Sequence, residues 1–159
     1  MIPTEIDLTD IVEDLADDDV AIGSLGAEHP GLESALSNVI DDARQSGFGE
    51  LRFVFLDSAP AMSADQRDIA QDLLMDTGAD TVIVRSPAGG AVVSDNHSRA
   101  AIESAQVDLF QNPDLVEGTR TFVNDLDGAI VPWQAINLGV LAVVLCAIMV
   151  TVLALLSRR

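Results

Sequence analysis

The chain has one cysteine and no lysine. A lone cysteine excludes an internal disulfide, so the fold must be held by packing alone, and cysteine usage leaves the redox compartment open. That cysteine, Cys146, lies inside an apolar run, where it reads as a small packing residue. All eight positive charges are arginine, set against 26 acidic residues, for a net charge of −18. The N-terminus, MIPTEIDLTDIVEDL, is acidic and has no apolar core segment, so it does not read as a cleavable signal peptide. Catalytic signatures are also missing. There is no G-x-S-x-G elbow and no D-x-D-x-D-G calcium loop. Gly89-Gly90 has no following lysine and is expected to join two strands, so it is not a phosphate loop. His29 and His97 are the only imidazoles, and without cysteines they do not make a zinc site.

What is present is divided sharply along the chain. No charged residue occurs from Gly128 to Ser157. Within that stretch Ala135–Leu156 reads AINLGVLAVVLCAIMVTVLALL. As a helix it would be about 33 Å long at 1.5 Å per residue, enough to cross a hydrocarbon core of about 30 Å. Trp133 suits one membrane interface, and Arg158 and Arg159 the other. An all-round apolar helix of this length would need a much larger protein to bury it. The expectation is a single-pass protein of the plasma membrane. Ala142 and Cys146 form a small-x-x-x-small pair, but no G-x-x-x-G accompanies it to mark a dimer face.

The remaining head holds all 26 acids and six arginines, a net of −20. Such a surface repels nucleic acid and anionic lipid headgroups, which leaves cations or basic protein patches as partners. The expected organisation is an acidic N-terminal arm (1–19), an α/β domain (20–128), a linker (129–134), the transmembrane helix (135–156) and a basic tail (157–159). The arm contains a short apolar stripe, a short helix or a loosely attached segment. Val20–Ile22 suggests an edge strand and Gly23–Gly26 a turn. Leu32, Leu36, Val39, Ile40 and Ala43 mark one face of a helix from Pro30 to Ser46, with Gly47 as its left-handed cap. Leu51–Leu56 reads as a strand covered on both faces. Ser63 and Gln66 form an S-x-x-Q capping box for a second helix that closes at Gly78. Asp80–Arg85 is the next strand, stopped at Pro87, and Ala88–Ala91 is a turn into Val92-Val93, giving a β-hairpin. Ser94 or Asp95 caps a third helix over 97–110. Asn112-Pro113-Asp114 breaks it and starts a fourth. Alternating helix and strand predict an α/β sandwich, a small sheet with helices on its faces.

GLESALSNVIDDAR, LRFVFLD, DIAQDLL, DTVIVRSP and AVVSDNHSRAAIESAQ, in that order ahead of a C-terminal apolar helix, resemble an actinobacterial family of single-pass membrane proteins. That family is similar to a divergent branch of the TPM-domain proteins, and the resemblance spans about Val20 to Arg159. It implies a TPM-like α/β/α sandwich held at the membrane by the C-terminal helix. It also implies an association with cell-envelope and peptidoglycan-remodelling partners. Some related plant proteins carry phosphatase activity and calcium binding. The chain departs from most TPM proteins in its N-terminus, which puts the membrane face of the head in question. Positive-inside bias puts Arg158 and Arg159 in the cytoplasm and the head outside. A tail-anchored protein with a cytosolic head is the alternative, and the balance falls on the outside.

Four side chains are candidates for chemistry. Asp57 and Asp95 follow strands, where ligands of α/β sheets gather, and with Asp80 or Asp17–Asp19 they could offer oxygens to Ca²⁺ or Mg²⁺. The alternative for both is turn and cap formation. Arg85 and Arg99 could together bind an anion, or could pair with the abundant acids. Ser94-Asp95-Asn96-His97 has the residue types of nucleophilic catalysis, but neighbours at a helix start cannot form a triad by themselves. The leading expectation is a non-catalytic, cofactor-free interaction domain that positions an envelope protein. The alternative is a divalent-cation-dependent phosphatase using Asp57 and Asp95.

Overall fold

The computed structural model describes residues 6–128. Trp133, Ala135–Leu156, Arg158 and Arg159, with the linker and basic tail, lie outside the described residues. Among the described residues no helix is long and apolar enough to cross a membrane. The elements run α1 (Leu8–Asp18), β1 (Val20–Ala21), α2 (Ser24–Glu28), α3 (Leu32–Ser46), β2 (Leu51–Phe55), α4 (Ser63–Thr77), β3 (Thr81–Ser86), β4 (Gly89–Ser94), α5 (Arg99–Gln111) and α6 (Leu115–Gly128). The four strands lie side by side in sequence order, β1 to β3 parallel and β4 antiparallel.

The head is a mixed α/β domain with helices on both faces of this sheet. Because side chains alternate along a strand, each strand supplies two cores. Phe53, Ile83 and Val92 point toward α3, α5 and α6, where they meet Leu36, Ile40, Leu109, Phe122 and Leu126. Val54, Val82, Val84 and Val93 point the other way, toward Leu15 of α1 and Ile69, Leu73 and Leu74 of α4. This double burial is why the strands read as apolar runs instead of alternating ones. Phe53 and Phe122 are fully buried, and truncating either to alanine should cost about 3–5 kcal/mol.

The acidic stretch ahead of residue 20 is built into this second core through Leu15. Asp19 ends α1 in a left-handed conformation at φ 69°, unusual for a residue with a side chain. Two arginines hold it there: Arg44 from α3 and Arg52 from β2, the latter at 2.6 Å. Glu50 joins the cluster by bonding Arg44 at 3.0 Å, which holds its carboxyl below the ordinary glutamate range.

Several local expectations are corrected. Gly23 does not open a plain turn, since Ser24–Glu28 is a short helix. Pro30 is not the first helical residue; the chain enters α3 through Gly31 in the left-handed region and begins at Leu32. Gly47 and Gly78 do end their helices left-handed, at φ 93° and 65°. The Ser63–Gln66 capping box does not form. Met62 is the cap residue, without a side-chain bond. Gln66 is drawn inward, where its amide donates to Ser86 Oγ at 2.6 Å. Gly89 and Gly90 are strand residues paired with Ser86 and Arg85. Gly90 is needed there because a β-carbon would sit 2.4 Å from the Phe110 ring and from Val84 O. Neither Ser94 nor Asp95 caps α5. Ser98 does, accepting from the Ala101 N–H, while Ser94 Oγ accepts from the Asn96 and His97 N–H groups in a preceding turn.

Candidate functional site

The four candidate side chains are distributed between the two ends of the sheet in a way that separates the expected partners. Asp57 follows β2, which runs parallel to β3, whereas Asp95 follows β4, which returns antiparallel. They therefore stand at opposite ends of the sheet, about 20 Å apart at 3.3 Å per residue, and cannot share one cation. Among the described residues no group of three or more His, Cys, Asp or Glu side chains is placed to hold a metal. Arg85 lies at the C-terminal end of α5 and Arg99 at its start, roughly 15 Å apart along the helix. The joint anion site is not formed.

Asp57 and Arg85 lie at one end of the sheet, each bonded to other groups, and Asp95 and Arg99 lie toward the other. At the first of these ends, beside Phe55, opens a cavity of about 600 Å³. It lies at the carboxyl ends of the parallel strands, the usual ligand crevice of an open α/β sheet. Leu25 and His29 form one wall, Pro113, Asp114, Leu115 and Val116 the other, with Leu32 and Phe55 between them. The apolar members pack partly buried against the larger core, so their remaining surface faces the opening.

Asp57 braces the first wall. Its carboxylate accepts from the Ser24 N–H at 3.1 Å and from Ser24 Oγ at 2.8 Å, capping α2 from 33 residues away. Gly23 leaves room for this, since a β-carbon there would meet Asp57 Oδ1 at 3.0 Å. Arg85 braces the second wall. The residue is 8% exposed, and its guanidinium donates to Leu109 O at 2.9 Å, Asn112 O at 3.1 Å and Phe110 O at 3.5 Å. A cation on the final carbonyls of a helix complements its macrodipole. Burial nonetheless pushes the Arg85 pKa down from its ordinary value. Its aliphatic stem comes from β3, so the sheet itself anchors the α5–α6 junction. Asp114 completes the wall as the cap of α6, accepting from the Val116 and Glu117 N–H groups.

The opposite end is closed by short polar bonds. Asp80 Oδ2 accepts from the Glu50 N–H at 2.8 Å, and Asp80 O from the Asp95 N–H at 2.9 Å. The His97 ring lies 4.7 Å from that of Phe48, and its Nε2 is buried without a hydrogen-bond partner. Desolvation lowers its pKa, against the opposing pull of Asp127 and Asp80. Asp95 and Arg99 lie outside this knot, along a polar slot beside β4.

Leu25, Leu115 and Phe55 were not recognisable as site residues in the sequence. Leu25 sits in a segment that reads as a turn, and Phe55 reads as one more core residue of a buried strand. The signal that could have found them is an apolar residue beside a strand's carboxyl end or a helix start, where an open sheet leaves its crevice.

A mixed α/β domain with an apolar crevice at the carboxyl ends of its parallel strands is the class of architecture the fold defines. The sequence pattern of the family described as membrane protein Rv1476 matches residues 1–159. Membrane protein Rv1476 of Mycobacterium tuberculosis is 30% identical over 146 residues, which cover 92% of this chain and 74% of that protein. The chain belongs to the Rv1476 family of membrane proteins.

Proposed function

We propose that this chain is a membrane-tethered, non-catalytic interaction domain of TPM-like fold, working without a cofactor, that positions or regulates a cell-envelope partner. The crevice bounded by Leu25, Leu32, Phe55, Leu115 and Val116 carries the reading. It exposes apolar surface in a concave site, as a docking pocket does, and the residues around it brace its walls. The partner segment would seat an apolar side chain in the crevice. Its flanks would be basic, because Asp114 lines the opening and the head carries −20. The Ala135–Leu156 helix, flanked by Trp133 and by Arg158 and Arg159, would hold the domain at the plasma membrane, with the head outside. The phosphatase alternative needs Asp57 and Asp95 on one ion, and no observation favours it.

The test is capture of an envelope protein by the full chain in native membranes, followed by its identification. Val116→Asp should abolish capture while leaving the melting temperature within a few degrees. Phosphoester turnover by the wild-type chain that Asp57→Asn removes would overturn the reading. A reporter fused ahead of Met1 that is active only in the cytoplasm would overturn the assigned face.

A further inference from the structure

Among the described residues β4 is an edge strand, paired on one side only. The register shows which of its groups are free. The Asp95 N–H bonds Asp80 O, and bonding in an antiparallel ladder alternates residue by residue, so Val93, Ala91 and Gly89 face β3. The Leu56 N–H takes Arg85 O on the other flank of β3, which agrees with this phase. Gly90, Val92 and Ser94 therefore present their N–H and C=O groups outward. Nothing in Gly89–Ser94 guards that edge: it holds no charge and no proline.

The second half of that edge, Val92 to Ser94, lines a slot that also holds Asp95 and His97. Arg67 and Gln71 of α4 form one lip, and Arg99, Glu103 and Gln106 of α5 the other. An added strand would lie about 4.8 Å from β4, the usual spacing. Charge then narrows the occupant. Arg44, Arg52, Arg85, Arg99 and Arg120 all have partners within the head. Arg67, exposed on the α4 lip, has none among the described residues. In a head this acidic, an arginine left without a carboxylate beside unpaired backbone is a recognition feature of its own.

We propose that β4 receives an extended segment of a partner protein as a fifth strand, oriented by an acidic side chain of that segment on Arg67. Backbone bonds to Gly90, Val92 and Ser94 supply the binding, in the manner of strand addition, and Arg67 selects sequence and direction. The site is independent of the crevice and does not rest on its assignment.

The test uses the full-length chain in detergent micelles and labelled hexapeptides of alternating threonine and valine, with glutamate, glutamine or lysine at one central position. Fluorescence anisotropy should rank glutamate first and lysine last, with Arg67→Glu reversing the order. Each charge step should change affinity about two- to fivefold, as for an exposed ion pair. Bound peptide should slow amide hydrogen exchange at Gly90, Val92 and Ser94 at least tenfold. Arg67 is exposed, so its variant should fold normally, and unchanged circular dichroism checks this. Absence of binding by every peptide at about 1 mM, the weak end of measurable affinity, would overturn the proposal. So would an order of affinities that Arg67→Glu leaves unchanged, or exchange at the three amides that peptide does not slow. Protection that grows with protein concentration alone would make a second copy the occupant and overturn it as well.

Discussion

The two ends of the sheet use the same kinds of side chain to opposite effect. At the end of Asp57 and Arg85, polar groups reach across long stretches of sequence to hold two walls apart, and an apolar crevice opens between them. At the end of Asp80 and Asp95, Asp80 also reaches across 30 residues, but to the loop at Glu50 that enters the neighbouring strand, and the chain is closed over Phe48 and His97. An aspartate or arginine at a strand end therefore says little by itself. What matters is whether its partner is a neighbouring loop or a separate helix.

The sharpest way to break the contrast is Arg85→Met. It leaves the carbonyls of Leu109, Phe110 and Asn112 without their donor, and stability should fall by about 3 kcal/mol, the scale of removing a buried charged donor. Denaturant unfolding measures the loss, and faster amide exchange over 112–116 would show that the crevice wall has loosened. At the closed end Gly49→Ala should cost about 2 kcal/mol, because Gly49 sits at φ 105° and a β-carbon would lie 2.6 Å from Asp80 Oδ2. Combined with Asp80→Ala the two losses should add to less than their sum, since they act on one contact.

Smaller effects separate the helix starts. Ser98→Ala removes a cap bond and should cost about 1 kcal/mol, whereas Ser63→Ala should stay within about 0.5 kcal/mol because no cap bond exists there. The smallest effect is tied to pH. The folded chain holds His97 below the ordinary histidine pKa, chiefly by burying it. The fold thus favours the neutral ring, and its contribution is complete above about pH 6.5 and is lost as pH falls below that value. Melting curves should show His97→Phe gaining on the wild type as pH drops from 8 to 5. Asp18 and Glu33 act in the reverse sense. Desolvation and neighbouring carboxylates raise their pKa values, so protonation on acidification relieves a cost to the fold.

Much of the fold was legible because it depends on local pattern. The apolar runs at Leu51–Phe55 and Thr81–Ser86, the left-handed stops at Gly47 and Gly78, and the break at Asn112–Asp114 follow from burial and backbone sterics. The site was not legible, because its braces are non-local. Ser24 and Asp57 are 33 residues apart, and Arg85 reaches carbonyls 24 to 27 residues on. Gln66 carries a sound local capping pattern that a tertiary bond to Ser86 overrides. Asp57 and Asp95 look equivalent because both follow strands. The hairpin that separates them could be read from Pro87 to Gly90, and its reversal of direction places Asp95 at the far end of the sheet.

Helix α6 meets α5 and α3 and adds no strand to the sheet. Its grip is side-chain packing, chiefly Phe122, Val123 and Leu126 in the larger core. A pulling force applied at Gly128 would thus be borne first by interlocked helices and not by the strand ladder. Helices peel one turn at a time, whereas strands loaded in shear resist together. Under tension the domain would yield from its C-terminal side, with α6 acting as a mechanical fuse that lifts off while the four strands stay paired.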